Sequence, residues 1–314
     1  MNKDVCVLTV DYDTSERVVS RIVSVESAAH APCGVFGESG SVSKRDVNYW
    51  WRHRAIPASR EQIRRILDDL RLDSTLELAE RSFGLSLSVR SWLDDVCAPQ
   101  RWEDISFFDN DFNDDLGALT LGRDSDPGDG GRESLNLTSP NSTLGGDLRK
   151  AWKILGGRRV LVKAGVVLAN QEPYNEAIAT ELHRRLMEPG TYTAYHLINE
   201  GRRTYCACEN EELVPACDLI RKRKQRSGES DLMFYVRCCE EQGLTNAMEG
   251  LSQTFGCGYV LANRDRHWRN FGIMRDVTTL EGRAVPWRRR GAAPSATISN
   301  RKEAMPAVRA WPPG

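Results

Sequence analysis

No stretch of this chain approaches the ~18 consecutive apolar residues that a membrane-crossing helix requires, so no membrane span is expected. Met1-Asn2-Lys3-Asp4 leads into a short apolar strand without the regions of a signal peptide, which predicts a cytoplasmic protein. An excess of one charge is also missing. Lys and Arg number 43 against 44 Asp and Glu, and a net charge of -1 gives no overall pull toward nucleic acid or membrane. The nine cysteines, at 6, 33, 97, 206, 208, 217, 238, 239 and 257, are odd in number and follow no framework. Cys206-x-Cys208 and Cys238-Cys239 lie close together, but no C-x2-C pair repeats with zinc-site spacing. Small buried thiols in strands and a helix are the expectation. No G-x4-G-K-[ST] occurs, which excludes a Walker-type phosphate loop.

What is present has ordinary globular proportions, 40% hydrophobic and 28% charged residues, and a length of 314 that suggests about two domains. Residues 1–30 alternate as strands do, through Val5, Val7 and Thr9 and again through Val18, Val19, Ile22 and Val23. A glycine- and serine-rich patch at 34–43 follows, and from Tyr49 to about Leu93 the pattern is helical. Pro57-Ala58-Ser59 reads as a helix start capped by Ser59, with Ile63, Ile66, Leu67 and Leu70 on one face. A second stretch carries Leu76, Leu78 and Ala79. Trp50, Trp51, Trp92 and Trp102 read as core fasteners, although aromatics beside Arg52 and Arg54 also suit stacking on nucleic acid. The acidic run 109–115 fails as a calcium loop, because its sixth residue is Asp114 and its twelfth is Thr120. It reads as a solvated turn. The breaker cluster at 123–132, continuing to Asn141, marks a linker (123–141) behind an N-terminal region (1–122).

Beyond it, Ser142-Thr143-Leu144-Gly145-Gly146-Asp147 is a small turn whose glycines let backbone N–H groups approach phosphate oxygens without a Cβ in the way. Arg159-Val160-Leu161-Val162-Lys163 reads as a buried strand ending in a lysine, either a snorkelling edge residue or a cation for nucleotide phosphates. Glu172-Pro173-Tyr174-Asn175-Glu176 opens a helix with proline and acids in its first turn. Ala177, Ile178, Leu182 and Leu186 are its expected apolar stripe, and Pro189-Gly190 its end. Glu176 stands either to pair with Lys163 or simply to answer the helix dipole. Thr191 to Ile198 and Arg203 to Cys208 read as a hairpin, with a hinge at 206–213, and Asp231 to Leu261 as helical. The chain then reaches Asn263-Arg264-Asp265-Arg266-His267-Trp268-Arg269-Asn270-Phe271-Gly272. In phosphoryl transfer a carboxylate orients and deprotonates the attacking hydroxyl, while an amide oxygen nearby holds magnesium on the phosphates. Asp265 and Asn270 have those residue types, though turn chemistry alone also enriches loops in both.

Glycine turn, strand lysine, helix glutamate, hinge, helices and Asp-x4-Asn stand in the order of a protein kinase. The expected fold class is therefore α+β, a two-lobed protein-kinase-like fold with a small lobe at 142–209, a partial large lobe at 210–282 and an additional N-terminal α/β region. In detail, Asn263-x-Asp265-Arg266-His267-x-x-Asn270-Phe271-Gly272, the Val-Leu-Val-Lys163 strand and the Glu172-Pro-Tyr-Asn-Glu176 helix start resemble the HipA-type kinases. These are the serine/threonine kinases of bacterial toxin–antitoxin modules and their relatives. The resemblance covers roughly 135–280, with a looser likeness in Trp-Glu-Asp-Ile-Ser-Phe-Phe at 102–108. It implies transfer of the γ-phosphoryl group of ATP, with Mg2+, to a protein serine or threonine. By the same resemblance Asp265 is the catalytic base, Asn270 a magnesium ligand, Lys163 the residue on the α/β-phosphates, and Gly145-Gly146 their cover. His267 stands where many kinases have lysine, for phosphate contact or for loop packing. A protein substrate and an antitoxin-like partner are implied too, with DNA reached weakly or through that partner.

The resemblance ends after Asn270. A second metal-binding aspartate is expected at the end of a hairpin, for which Phe271 to Met274 and Thr279 to Val285 supply the strands. Pro286-Trp287-Arg288-Arg289-Arg290-Gly291 stands where that apolar-Asp-Gly turn belongs, and Asp276 lies within the hairpin. The expectation is a reading frame interrupted near 282, an unfolded tail at 283–314 and weak or absent catalysis, since one asparagine amide makes a poor magnesium site. Two other classes stay open: a non-catalytic pseudokinase that binds nucleotide or a partner, and a DNA-binding regulator built on the N-terminal helices.

Overall fold

The computed structural model describes residues 1–37, 39–60, 62–122, 136–166, 170–187, 192–201, 203–209, 213–244, 246–262, 267–269, 271–275 and 282–283. The architecture is mixed helix and sheet. Its described strands form three antiparallel sheets of two, four and three strands. No described helix is long and apolar enough to cross a membrane. The expected tail, apart from Arg283, and residues 123–135 of the expected linker lie outside the described residues.

The N-terminal alternation becomes a hairpin, β1 (Leu8–Asp13) on β2 (Val18–Val25). Val19 packs with Val35 and with Val47 of α1 (Lys44–Arg52). Ser43 starts that helix with a capping box in which the partner is Asp46. Next come α2 (Ile63–Leu70), α3 (Thr75–Glu80), α4 (Trp102–Ile105) and α5 (Asp115–Leu121). Ile56, Ile63, Ile66, Leu72, Leu78 and Leu116 share one core, so the apolar face read for 63–70 is the buried one. Ser59 does not cap α2. The Arg60 N–H returns to the Pro57 carbonyl (3.0 Å), closing a separate turn, and Ser59 donates to the Asp147 carboxylate instead. Trp51, Trp92 and Trp102 are buried, and the buried Arg54 guanidinium donates to the carbonyls of Gly84 and Ser91. Two of the groups that a stacking surface would need, Trp51 and Arg54, are committed to the interior.

The four-stranded sheet has the order β3 (Lys150–Leu155), β4 (Arg158–Lys163), β6 (Arg203–Glu209), β5 (His196–Glu200). Gly156 and Gly157, at φ of 57° and 73°, form the two-residue loop between β3 and β4 that hairpins favour. Residues 139–141, assigned to the linker, are buried. Asn141 explains why: its amide donates to the Trp152 carbonyl (3.2 Å) and accepts from the Trp152 N–H (2.6 Å), standing in for a further strand along β3. Of the span expected as a hinge, 206–209 belong to β6 and pair with β4, Leu213 begins β7, and 210–212 lie outside the described residues.

Helix α6 (Glu172–Leu186) has its proline in the first turn as expected, but not the expected stripe. Pro173, Glu176 and Ala179 are its buried residues, while Ile178 and Leu186 are 39% and 55% exposed. The helix turns the 173/176/179 face inward because Glu176 has a charged partner in the sheet. The last sheet joins β7 (Leu213–Pro215), β8 (Gly272–Arg275) and β9 (Gly282–Arg283), beside α7 (Ala216–Ile220). The helical run 231–261 divides into α8 (Asp231–Glu240) and α9 (Ala247–Val260). Gly243 at φ 83° makes the break, and the Leu244 N–H turns back to the Cys239 carbonyl at 3.2 Å.

Asp46 fastens the N-terminal region to this last part, accepting from Lys222 Nζ (2.6 Å) and Arg221 (3.3 Å). Burial opposes its charge, but the bonds from Lys222 and Ser43 outweigh it and hold the carboxyl below its ordinary value. A depressed folded-state value gives stability that is complete above the unfolded value of ~3.9 and is lost as pH falls through the folded one. The stability difference between the native chain and Asp46→Asn, followed by thermal melting from pH 7 to 3, should shrink across that acid window.

Candidate functional site

Lys163 ends β4, opposite Lys150 on β3 and Cys206 on β6, so its chain enters the space beneath the sheet. It is 4% exposed. Nζ donates to Glu176 Oε1 at 3.0 Å and lies 4.2 Å from the Tyr195 ring centroid. Burial alone would push the ammonium's pKa down. The Glu176 carboxylate, with Tyr195 behind it, more than reverses this, and Lys163 stays protonated.

The approach from strand to helix is short and tightly tied. Asn170 Oδ1 accepts from the Gly165 N–H at 3.2 Å and Glu172 Oε2 from the Val166 N–H at 3.1 Å. A Cβ on Gly165 would lie 2.6 Å from both of those oxygens, so only glycine leaves room for the pair. Arg149 donates to the carbonyls of Gly165 (3.0 Å) and Leu121 (3.3 Å), locking this turn to the end of α5. One helical turn after Glu172, Glu176 meets Lys163.

The glycine turn lies immediately before β3. Residues 140–143 are a 3-10 turn whose Thr143 hydroxyl donates to the Leu85 carbonyl (2.6 Å), and Leu144 is buried. Gly145 and Gly146 follow, partly open to solvent. Gly146 has φ +94°, and a Cβ there would run into Lys150 Nζ. Arg60 holds the turn from outside, donating Nε and Nη2 to the Gly146 carbonyl (2.9 and 2.7 Å) and Nη2 also to that of Leu144.

Asp265 and Asn270 lie outside the described residues, as do Asn263, Arg264 and Arg266. The flanks of their loop are described. Trp268, Phe271 and Tyr235 of α8 form an aromatic triangle with centroids 5.4–5.6 Å apart. The Trp268 and Phe271 carbonyls accept from the N–H groups of Cys217 (2.8 Å) and Ala216 (2.7 Å) at α7. His267 is exposed, and its Nδ1 accepts from the Arg269 N–H at 3.3 Å.

The structure thus joins Lys163 to Glu176 and places the glycine turn one strand away. Sequence reading missed Tyr195, Arg60 and the Trp268–Phe271 anchors. The aromatic pair flanking Asn270 was the one available signal, since Arg60 and Tyr195 earn their places only through long-range contacts. Cys206, Cys208, Cys238, Cys239 and Cys257 are buried in β6, α8 and α9 and form no disulfide with one another. Burial pushes Cys239 up to about 12 and Cys206 far above the thiol range, so neither is a thiolate at neutral pH. Among the described residues no cluster of His, Cys, Asp and Glu is arranged to hold a metal ion.

No family model and no curated protein matches the chain. Among solved structures, the proinflammatory kinase CtkA of Helicobacter pylori is similar to 43% of this chain, at 17% identity and a TM-score of 0.33. The match takes in 50% of that kinase, so this chain spans about half of its length.

Proposed function

We propose that the chain is a protein-kinase-type phosphotransferase of the HipA-like kind, with a two-lobed fold and ATP as phosphoryl donor. The observation that carries the reading is the buried Lys163–Glu176 ion pair, made between β4, the second strand of the four-stranded sheet, and α6, the helix that follows it. In protein kinases a strand lysine and a helix glutamate form this pair, and the lysine faces the nucleotide phosphates. The preceding turn adds to it, because Gly145 and Gly146 are partly open to solvent and carry no Cβ to keep an anion from the backbone.

In this reading Lys163 neutralises the α/β-phosphates while Glu176 fixes its direction, and Gly145-Gly146 cover them. Asp265 accepts the proton of a serine or threonine hydroxyl on a protein substrate, and Asn270 is a ligand for magnesium. Magnesium, when bound, would screen charge developing on the transferred group. His267, exposed beside that loop, contacts the phosphates in this reading, and an antitoxin-like protein is the expected partner.

Calorimetry with ATP tests the reading. The native chain should bind ATP more tightly with magnesium than without it, and Lys163→Met should remove most of that affinity. Transfer is expected to be weak or absent with Asn270 alone for the metal, and Asp265→Ala should leave binding intact while abolishing whatever transfer of labelled phosphate to protein the native chain supports. Native chain that binds no ATP while remaining folded overturns the proposal. Binding without any transfer would establish a nucleotide-binding protein and remove the catalytic part.

A further inference from the structure

Arg60 belongs to the N-terminal region, 86 residues before the glycine turn, yet its guanidinium is spent on that turn. It is 3% exposed and donates to two alternate carbonyls, those of Leu144 and Gly146. A trans peptide is planar, so its C=O and the following N–H point in opposite directions. Drawing the Leu144 and Gly146 carbonyls toward Arg60 therefore turns the N–H groups of Gly145 and Asp147 the other way, side by side. Neither N–H donates a hydrogen bond to a described residue, and both residues retain solvent exposure. Adjacent N–H groups with one orientation form a concave anion receptor. Lys150 Nζ, packed against Gly146, adds a positive charge at its edge.

We propose that Arg60 is a positioning residue for phosphate recognition: it aims the N–H groups of Gly145 and Asp147 at the phosphate oxygens of a bound nucleotide, making the N-terminal region part of the nucleotide site. This rests on the kinase reading above. Ser59 contributes to the same brace through its bond to Asp147. The region preceding the kinase-like part therefore sets how well the turn receives an anion, without touching the ligand.

The experiment compares ATP and adenosine binding by calorimetry in the full chain. Arg60→Met should weaken ATP at least about tenfold, the worth of a hydrogen bond to a charged group, and leave adenosine unchanged. Arg60→Lys, keeping one donor, should fall between. Gly145→Pro offers a second route if Arg60→Met does not fold. It deletes one of the two N–H groups but leaves both carbonyls for Arg60, and Gly145 is not among the positive-φ glycines. It should weaken ATP to a similar degree with little change in melting temperature. Equal losses for ATP and adenosine, or no loss in either variant, would overturn the proposal. Lys163→Met separates the two ideas. ATP binding that depends on Lys163 but not on Arg60 or Gly145 removes this inference alone, whereas absent ATP binding removes both.

Discussion

Glu176→Ala should cost the chain about 3–5 kcal/mol in urea unfolding at pH 7, the usual loss when one partner of a buried ion pair is removed. The cost arises because Lys163 is 4% exposed, and truncation removes the carboxylate that faces its buried ammonium at 3.0 Å. The pH dependence should reverse as well. In the native chain Glu176 raises the Lys163 pKa above its unfolded value of ~10.4. That contribution is complete below ~10.4 and is lost only as pH rises through the folded value. In Glu176→Ala the largest influence opposing burial is gone, so burial lowers the folded value, the unfolded chain binds more protons and stability climbs with pH toward ~10. Replacing both partners, Lys163→Met with Glu176→Leu, should recover most of the loss, because matched apolar groups of similar volume fill such a site well. The double variant should be stable and should still fail to bind ATP. If it is no more stable than Glu176→Ala, an unbalanced buried charge is not the source of the loss.

Gly272→Ala should lose about 3 kcal/mol, the upper end of the range for overpacking. A Cβ at this position would overlap the Val214 carbonyl oxygen and lie 2.8 Å from its carbon and 2.9 Å from the Pro215 Cα. These are backbone atoms held in register, Pro215 opposite Gly272 and Val214 opposite Ile273, so no side chain can swing aside. Val214 and Ile273 are themselves 5% and 4% exposed, which leaves little room for the strands to part. Gly250 in α9 is the control: a Cβ there meets nothing within 4 Å, and alanine should stabilise that helix by up to ~1 kcal/mol. Thermal melting of the two variants should move in opposite directions. A common direction would mean that backbone approach at Gly272 is not what excludes a side chain.

Patterns that depend on neighbours in sequence were readable before the structure. The 18–25 strand, the apolar face of 63–70, the Val-Leu-Val-Lys163 strand and the proline-led start of α6 all follow from local period or capping. The face of α6 was misread because apolar count favoured Ile178 and Leu186, whereas a charged residue determined which side went inward. Periodicity weighs hydrophobicity and is blind to a glutamate that is buried because a lysine awaits it. Asn141 was read as linker for a similar reason: composition marks turns but cannot foresee an amide pairing with Trp152 as a strand would. At the candidate site Lys163 and Glu176 were legible from order along the chain. Arg60 was not, since nothing near Pro57-Ala58-Ser59 records which carbonyls its guanidinium will meet.

The ties of the N-terminal region also bear on the order in which the chain folds. Asp46 meets Lys222 across 176 residues and Arg60 meets Gly146 across 86. Until those later segments exist, both charged groups remain in water, and the early part of the chain lacks the contacts that finish it. Closing such wide loops carries an entropy cost that short-range pairings such as the Gly156-Gly157 hairpin avoid. The hairpin of β3 and β4 is thus positioned to form early, and docking of the first hundred or so residues to come last, as the slow step of refolding.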